Sequence, residues 1–166
     1  DAGLTVPETY LASEVMAREL AATVATVVKP RLGCSGQHLR MLKPETLPDK
    51  TPGNADAIVQ TRIFGREVST LSLCRDGEVL AHVTYEGLVL AGTVAVCFQR
   101  VDDLHQVQEW VAGFARAGNH SYFLAFDFIV DEDGTPWPLE CNPRLTSGIH
   151  FMEPAAIADA ITGFAA

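Results

Sequence analysis

The stretch "YFLAFDFIV", Tyr122 to Val130, places one acid, Asp127, inside a run that is otherwise apolar or aromatic, and "DEDG" and "WPLECNPR" follow it. Burying a carboxylate without a partner is costly, so Asp127 needs a compensating group. Two extended segments around a turn signal predict a β-hairpin. With Asp133 and Gly134 as a two-residue turn, Asp127 falls opposite Glu140 and Ala125 opposite Asn142, all on one face. A four-residue loop shifts the pairing by two and keeps both carboxylates on that face, whereas a bulge is able to break the parity. Alternation also brings Arg144 to this surface, provided Pro143 does not bend the chain first.

Like charges set opposite each other destabilise a sheet, so one carboxylate should protonate or a cation should sit between them. Two carboxylates and the Asn142 amide form a hard-oxygen set suited to Mg²⁺, which completes its octahedron with water and nucleotide phosphates. Arg144 is then placed to meet a phosphate or a substrate carboxylate. The plain alternative is a solvated polar hairpin.

Around this hairpin the chain reads as follows. A short extended segment leads to a helix from about Ser13, followed by the strand "ATVVKP", stopped by Pro30. "RLGCSGQHLRML" is a loop with two glycines, and Lys43 to Asp56 is a polar surface loop with three prolines. An Asp-Gly turn in "RDGE" joins the strands "REVSTLSLC" and "VLAHVTY", and a further strand is expected from Thr93 to Gln99. "DDLHQVQEWVAGFARAG" is the clearest helix, capped by Asp102 or Asp103, with an apolar stripe of Leu104, Val107, Val111, Phe114 and Ala115 and a stop at Gly118. Trp110 is assigned to the core. "MEPAAIADAITGFAA" is a short C-terminal helix. Antiparallel hairpins with interspersed helices define an α+β fold rather than a parallel doubly wound sheet.

The net charge of -9, from 21 acidic and 12 basic residues, argues against general nucleic-acid binding. It still allows a phosphorylated small molecule, because a metal and a few cations dominate a small cleft locally. No apolar run approaches the roughly 20 residues of a membrane span. Cys34, Cys74, Cys97 and Cys141 lack C-x-x-C pairing, which fits a reduced cytoplasmic setting and buried free thiols. Cys141 is expected to point away from the acidic face into the core. His38, His82, His105, His120 and His150 show no metal-ligand spacing, and only His150, just beyond Arg144, is a candidate substrate contact. The chain opens at Asp1 without an initiator Met or an apolar signal region, and so reads as a piece of a longer protein.

Two weaker signals precede the hairpin. "VVKPRLGCSGQ" sets Lys29 at a strand end before a glycine loop containing Gly33, Ser35 and Gly36, where backbone amides and an ammonium can meet an anion. It is not a Walker A sequence, and a surface turn beside a lysine is the ordinary reading. "VQTRIFGREVSTLSL" offers the Gln60 amide to a base edge and the Glu67 carboxylate to ribose hydroxyls. Three weak signals in this order constrain more than any one of them.

Taken together, these residues resemble the ATP-binding part of an ATP-grasp enzyme, from about Gly3 to Phe151, with "FDFIVDEDGTPWPLECNPR" the most specific portion. "VVKPRLGCSG" is similar to the family's second ATP lysine and phosphate loop, and "QTRIFGREVS" to its adenine hinge, with Gln60 and the Ile63 amide at the base and Glu67 at the ribose. Asp127, Glu140 and Asn142 match the metal ligands, and Arg144 the phosphate or substrate arginine. The resemblance implies an ATP-grasp fold truncated at the N-terminus, with antiparallel sheets and flanking helices in two small lobes that hold ATP and Mg²⁺ (or Mn²⁺) between them. Residues 1–58 would form the smaller lobe and residues 59–166 the larger.

The chemistry implied is activation of a small-molecule carboxylate as an acylphosphate for capture by an amine, without a protein nucleophile. The family's first ATP lysine and a preceding α/β domain would lie upstream of Asp1, so the fragment alone is expected to be inactive. Ala125 stands where several ligases carry an arginine, a departure from the D-alanine:D-alanine ligase group, whereas "TSGIHF" is similar to carbamoyl-phosphate-synthase-like members. The alternatives are a non-catalytic nucleotide-binding regulatory module of the same fold, and an α+β domain whose acidic hairpin binds a structural cation.

Overall fold

The computed structural model describes residues 3–32, 39–46, 57–92 and 94–163. The chain divides into two compact units, one of Pro7–Ile63 with Gly92–Val94, the other of Phe64–Ala91 and Ala95–Ala166 with the first six residues. Both are α+β, built on antiparallel pairings, as the sequence predicts. No helix among the described residues is long and apolar enough to cross a membrane.

The smaller unit is a four-stranded sheet in the order β1 (Thr9–Leu11), β4 (Ala57–Thr61), β2 (Thr26–Pro30), β3 (Arg40–Leu42). Helix α1 (Val15–Thr23) buries Ala17, Leu20 and Ala21 against Val28, Leu42, Ala57 and Val59. Its N-cap is Glu14 rather than Ser13, and Glu14 Oε2 accepts the Leu11 amide at 3.0 Å, tying the helix start to the end of β1. Strand β3 lies in the stretch read from sequence as loop. Its three residues are too few for a period-2 signal, and pairing with β2 supplies its order.

The larger unit is a five-stranded sheet in the order β7 (Val94–Val101), β6 (Glu78–Ala91), β5 (Arg66–Arg75), β8 (Tyr122–Val130), β9 (Pro136–Asn142). The Asp-Gly signal holds: Asp76 and Gly77, with φ of 48° and 82°, form the two-residue turn between Arg75 and Glu78. A side chain on Gly77 would also come within 3.1 Å of the Arg116 backbone. Helix α2 (His105–Gly118) covers one face of the sheet through Val107, Trp110, Val111 and Ala115, packed on Leu124, Phe126 and Phe128. Neither Asp102 nor Asp103 caps this helix, because Asp102 pairs with Arg100 at 2.6 Å and the N-cap is Leu104. The left-handed residue ending α2 is Asn119, not Gly118. On the other face, the 3-10 turn Ser147–Phe151 and helix α3 (Pro154–Thr162) bring Ile149, Phe151, Met152 and Ile157 onto Leu71, Val83, Tyr85 and Ala125. That second face also carries Asp127.

Candidate functional site

The β8–β9 register sets Asp127 opposite Glu140 and Ala125 opposite Asn142. The sequence-predicted pairs are correct, but their origin differs from the two-residue turn assumed for them. The connection is a five-residue loop, Asp131 to Thr135, flanked by the pair Val130 and Pro136. Asp131 organises it: Oδ1 accepts the amides of Asp133 at 3.1 Å and Thr135 at 2.8 Å, and Oδ2 accepts the Trp137 indole N–H at 2.8 Å. These bonds, the Trp137 one foremost, hold the Asp131 carboxyl below its ordinary pKa.

This loop alone would leave the pairing one residue out of step, placing Asp127 opposite Leu139 and turning Glu140 to the α2 face. The β-bulge between Asp127 and Phe128, which opposes an additional residue of β9, restores the step. The bulge, a feature able to break such parity, here creates the shared parity of the two carboxylates.

On β5, Ser69 pairs with Asp127 and Glu67 with Ile129, so Glu67, Ser69, Asp127 and Glu140 share one face. Ser69 Oγ donates to Asp127 Oδ1 at 2.6 Å, and Asn142 Nδ2 donates to Glu140 Oε1 at 2.9 Å. The Asp127 carboxyl is pushed up to about 6, first by burial and then by contact with Glu140 and the nearby charge of Glu67, while the Ser69 bond acts in the opposite direction. Charge stress of this kind is relieved by a cation. Among the described residues no three His, Cys, Asp or Glu side chains are arranged to hold a metal ion. The available donors are two carboxylates and the Asn142 amide oxygen, which fits Mg²⁺: that ion uses one or two carboxylates and takes its remaining ligands from water and phosphate.

Ser69 went unnoticed in the sequence. Its position two residues after Glu67 places it on the correct face, but its contact with Asp127 depends on β5 pairing with β8, across 58 residues of chain.

The other predicted residues are placed as follows. Strand β9 ends at Asn142, and after Pro143 the Arg144 amide bonds back to the Asn142 carbonyl at 2.8 Å. Proline thus ends the alternation, and Arg144 is an exposed loop residue whose guanidinium donates to the Leu145 carbonyl at 3.2 Å. His150 is exposed in the 3-10 turn. In the smaller unit, Lys29 pairs with Ile58 and Val27 with Gln60, which puts Lys29 and Gln60 on the sheet face away from the α1 core. Gln60 is buried and its amide nitrogen donates to Thr9 Oγ1 at 2.9 Å. Ile63 follows β4 and is half-buried. Gly33, Ser35 and Gly36 lie outside the described residues. Cys74 is buried, whereas Cys97 and Cys141 are exposed. Cys141 does leave the acidic face, but β9 is an edge strand and the core does not cover it.

The ATP-grasp domain family model matches residues 1–148. No curated protein matches the sequence. Among solved structures, the ATP-grasp ligase PsnB with minimal precursor, Mg and ADP superposes at a TM-score of 0.64 with 19% identity, covering 96% of this chain and 55% of that one. Carboxyaminoimidazole ribonucleotide synthase from Aspergillus clavatus, complexed with ATP, gives 0.63 with 16% identity, over 89% of this chain and 42% of that one. D-alanine–D-alanine ligase from Bacillus anthracis gives 0.60 with 18% identity, over 96% and 58%. At these identities the likeness is one of fold. The chain spans about two-fifths to three-fifths of the length of these solved chains.

Proposed function

The chain belongs to the ATP-grasp domain family, and from that premise we propose that it is the ATP- and Mg²⁺-binding region of a ligase that joins a carboxylate to an amine. The observation that carries this reading is the pair Asp127 and Glu140, set opposite each other with Glu67 on the same face. A regulatory nucleotide site has no need of two mutually repelling carboxylates beside a carboxamide. A phosphoryl-transfer site does, because positioning and charge neutralisation are most of its catalysis.

In this reading Asp127, Glu140 and Asn142 hold Mg²⁺ (or Mn²⁺), whose contribution is to neutralise charge on the transferred phosphoryl. Lys29, Gly33, Ser35 and Gly36 are assigned to the phosphates, Gln60 and the Ile63 backbone to adenine, and Glu67 to the ribose. Arg144, exposed beyond β9, is assigned to the transferred phosphoryl or the substrate carboxylate. The γ-phosphoryl passes to a carboxylate oxygen, giving ADP and an acylphosphate. An amine then attacks the acyl carbon and inorganic phosphate leaves. No side chain of the chain forms a covalent intermediate, and the small-molecule acid and amine define the remaining specificity.

The test uses the intact protein. ATP should protect it against heating only when Mg²⁺ is present, and Asp127→Asn should remove that protection. ADP should appear when the correct amino acid and amine are supplied. Protection without ADP release across a broad substrate panel would favour the non-catalytic nucleotide-binding module. Absence of any Mg²⁺-dependent protection would overturn the nucleotide reading and leave the structural-cation alternative.

A further inference from the structure

Ser69 lies on β5, between the buried residues Val68 and Thr70, in a strand paired on both sides. The register sets it beside Asp127 on one flank while Glu140 occupies the other. Its hydroxyl donates to Asp127 Oδ1 at 2.6 Å, a short bond of the charge-assisted kind. Glu140 has a matching restraint on its own side, the Asn142 amide at 2.9 Å. Each carboxylate of the pair therefore has one oxygen held by a neutral donor.

We propose that Ser69 is a positioning residue for the divalent-cation site, holding the Asp127 carboxylate toward β5 so that the space between it and Glu140 admits an ion. This inference rests on the metal reading given above. Its physical basis is that two carboxylates on adjacent strands repel each other. With no restraint, Asp127 would rotate about its side-chain bonds to whichever rotamer lowers that repulsion, and the ligand geometry would have to be rebuilt each time an ion enters. A donor anchored in a central strand selects one rotamer in advance. Removing a residue that orients a metal ligand in this way typically lowers metal affinity by 10–100-fold.

The experiment is a Mn²⁺ titration of the intact protein in the presence of ADP, followed by the electron paramagnetic resonance of free Mn²⁺, with ADP binding in chelator measured separately. Ser69→Ala, and Ser69→Cys as a variant of similar volume with a weak donor, should each weaken Mn²⁺ binding by about tenfold. Both should leave metal-free ADP binding unchanged. Ser69→Thr, which keeps the hydroxyl, should recover most of the affinity, a rescue that a purely structural role would not produce. Asp127→Asn is the control that removes the ligand itself. If Asp127→Asn loses Mn²⁺ while the Ala and Cys variants bind like the wild type, the role of Ser69 is overturned and the metal reading stands. If the wild type itself takes up no Mn²⁺, the metal reading falls and this inference with it.

Discussion

Trp137 donates its indole N–H to Asp131 Oδ2 at 2.8 Å, joining the first residue of the β8–β9 loop to the second residue of β9. With the two amides bound by Oδ1, this bond sets the loop at five residues, the starting register from which the bulge at Asp127 and Phe128 brings Glu140 opposite Asp127. Asp131→Ala should lower the urea midpoint of unfolding and weaken Mn²⁺ binding together, because it releases both the loop and the register. The Asp131 carboxyl has a depressed pKa in the folded protein. Its contribution to stability is therefore present above the ordinary aspartate range and lost as pH falls through the depressed folded value. Unfolding curves from pH 7 to pH 3 should show that loss in the wild type, and Asp131→Asn should flatten it.

Gly65 begins the approach to β5 two residues before Glu67. A Cβ there would lie 2.1 Å from the Val130 carbonyl oxygen, and its φ is 156°. Gly65→Ala must therefore separate β5 from the end of β8. The expected cost is more than about 2 kcal/mol in urea unfolding. A variant as stable as the wild type would show that the two backbones can separate at little cost.

His82 lies on the α2 side of the sheet, with Nδ1 2.7 Å from Ser72 Oγ and Nε2 3.0 Å from Thr84 Oγ1. Burial pushes its pKa down to about 4. The neutral ring is favoured in the fold, so stability is full above the unfolded histidine value near 6.5 and falls as pH drops from there to about 4. The loss is expected to be on the order of 3 kcal/mol. His82→Gln should remove most of that slope, measured as unfolding free energy at half-unit pH steps. An unchanged slope would assign the acid sensitivity to another group.

Thr26 is buried at the start of β2, an inner strand of the smaller unit's sheet, and its hydroxyl has no hydrogen-bond partner among the described residues. Valine has almost the same shape and no hydroxyl to desolvate. Thr26→Val should raise stability by about 1 kcal/mol. A loss of comparable size would mean that a bridging water satisfies the hydroxyl.

Signals carried by neighbouring residues were legible. The Asp-Gly turn at Asp76 and Gly77, the apolar stripe of α2 and the lone acid of β8 each follow from a period or a backbone preference expressed over a few residues. The pair Asp127 and Glu140 is a more instructive case, because the five-residue loop differs in register by one residue from the two-residue turn expected, and the bulge made good the difference. The condition set for Arg144 was also local and decided the outcome: Pro143 ends the strand, so alternation does not reach Arg144. Cys141 was expected in the core, but alternation sets only the face, and coverage of that face depends on what packs there.

The amino-acid order determined by itself that this chain has an acidic hairpin, a glycine-spaced approach to Glu67 and the elements of an α+β fold. Tertiary structure alone decided that Ser69 holds Asp127, that a bulge rather than the turn brings Glu140 to the same face, and that β5 pairs with β8 at all. The reason is physical: turn and helix preferences act over a handful of residues, whereas strand pairing is chosen by the burial of whole faces between segments far apart in the chain.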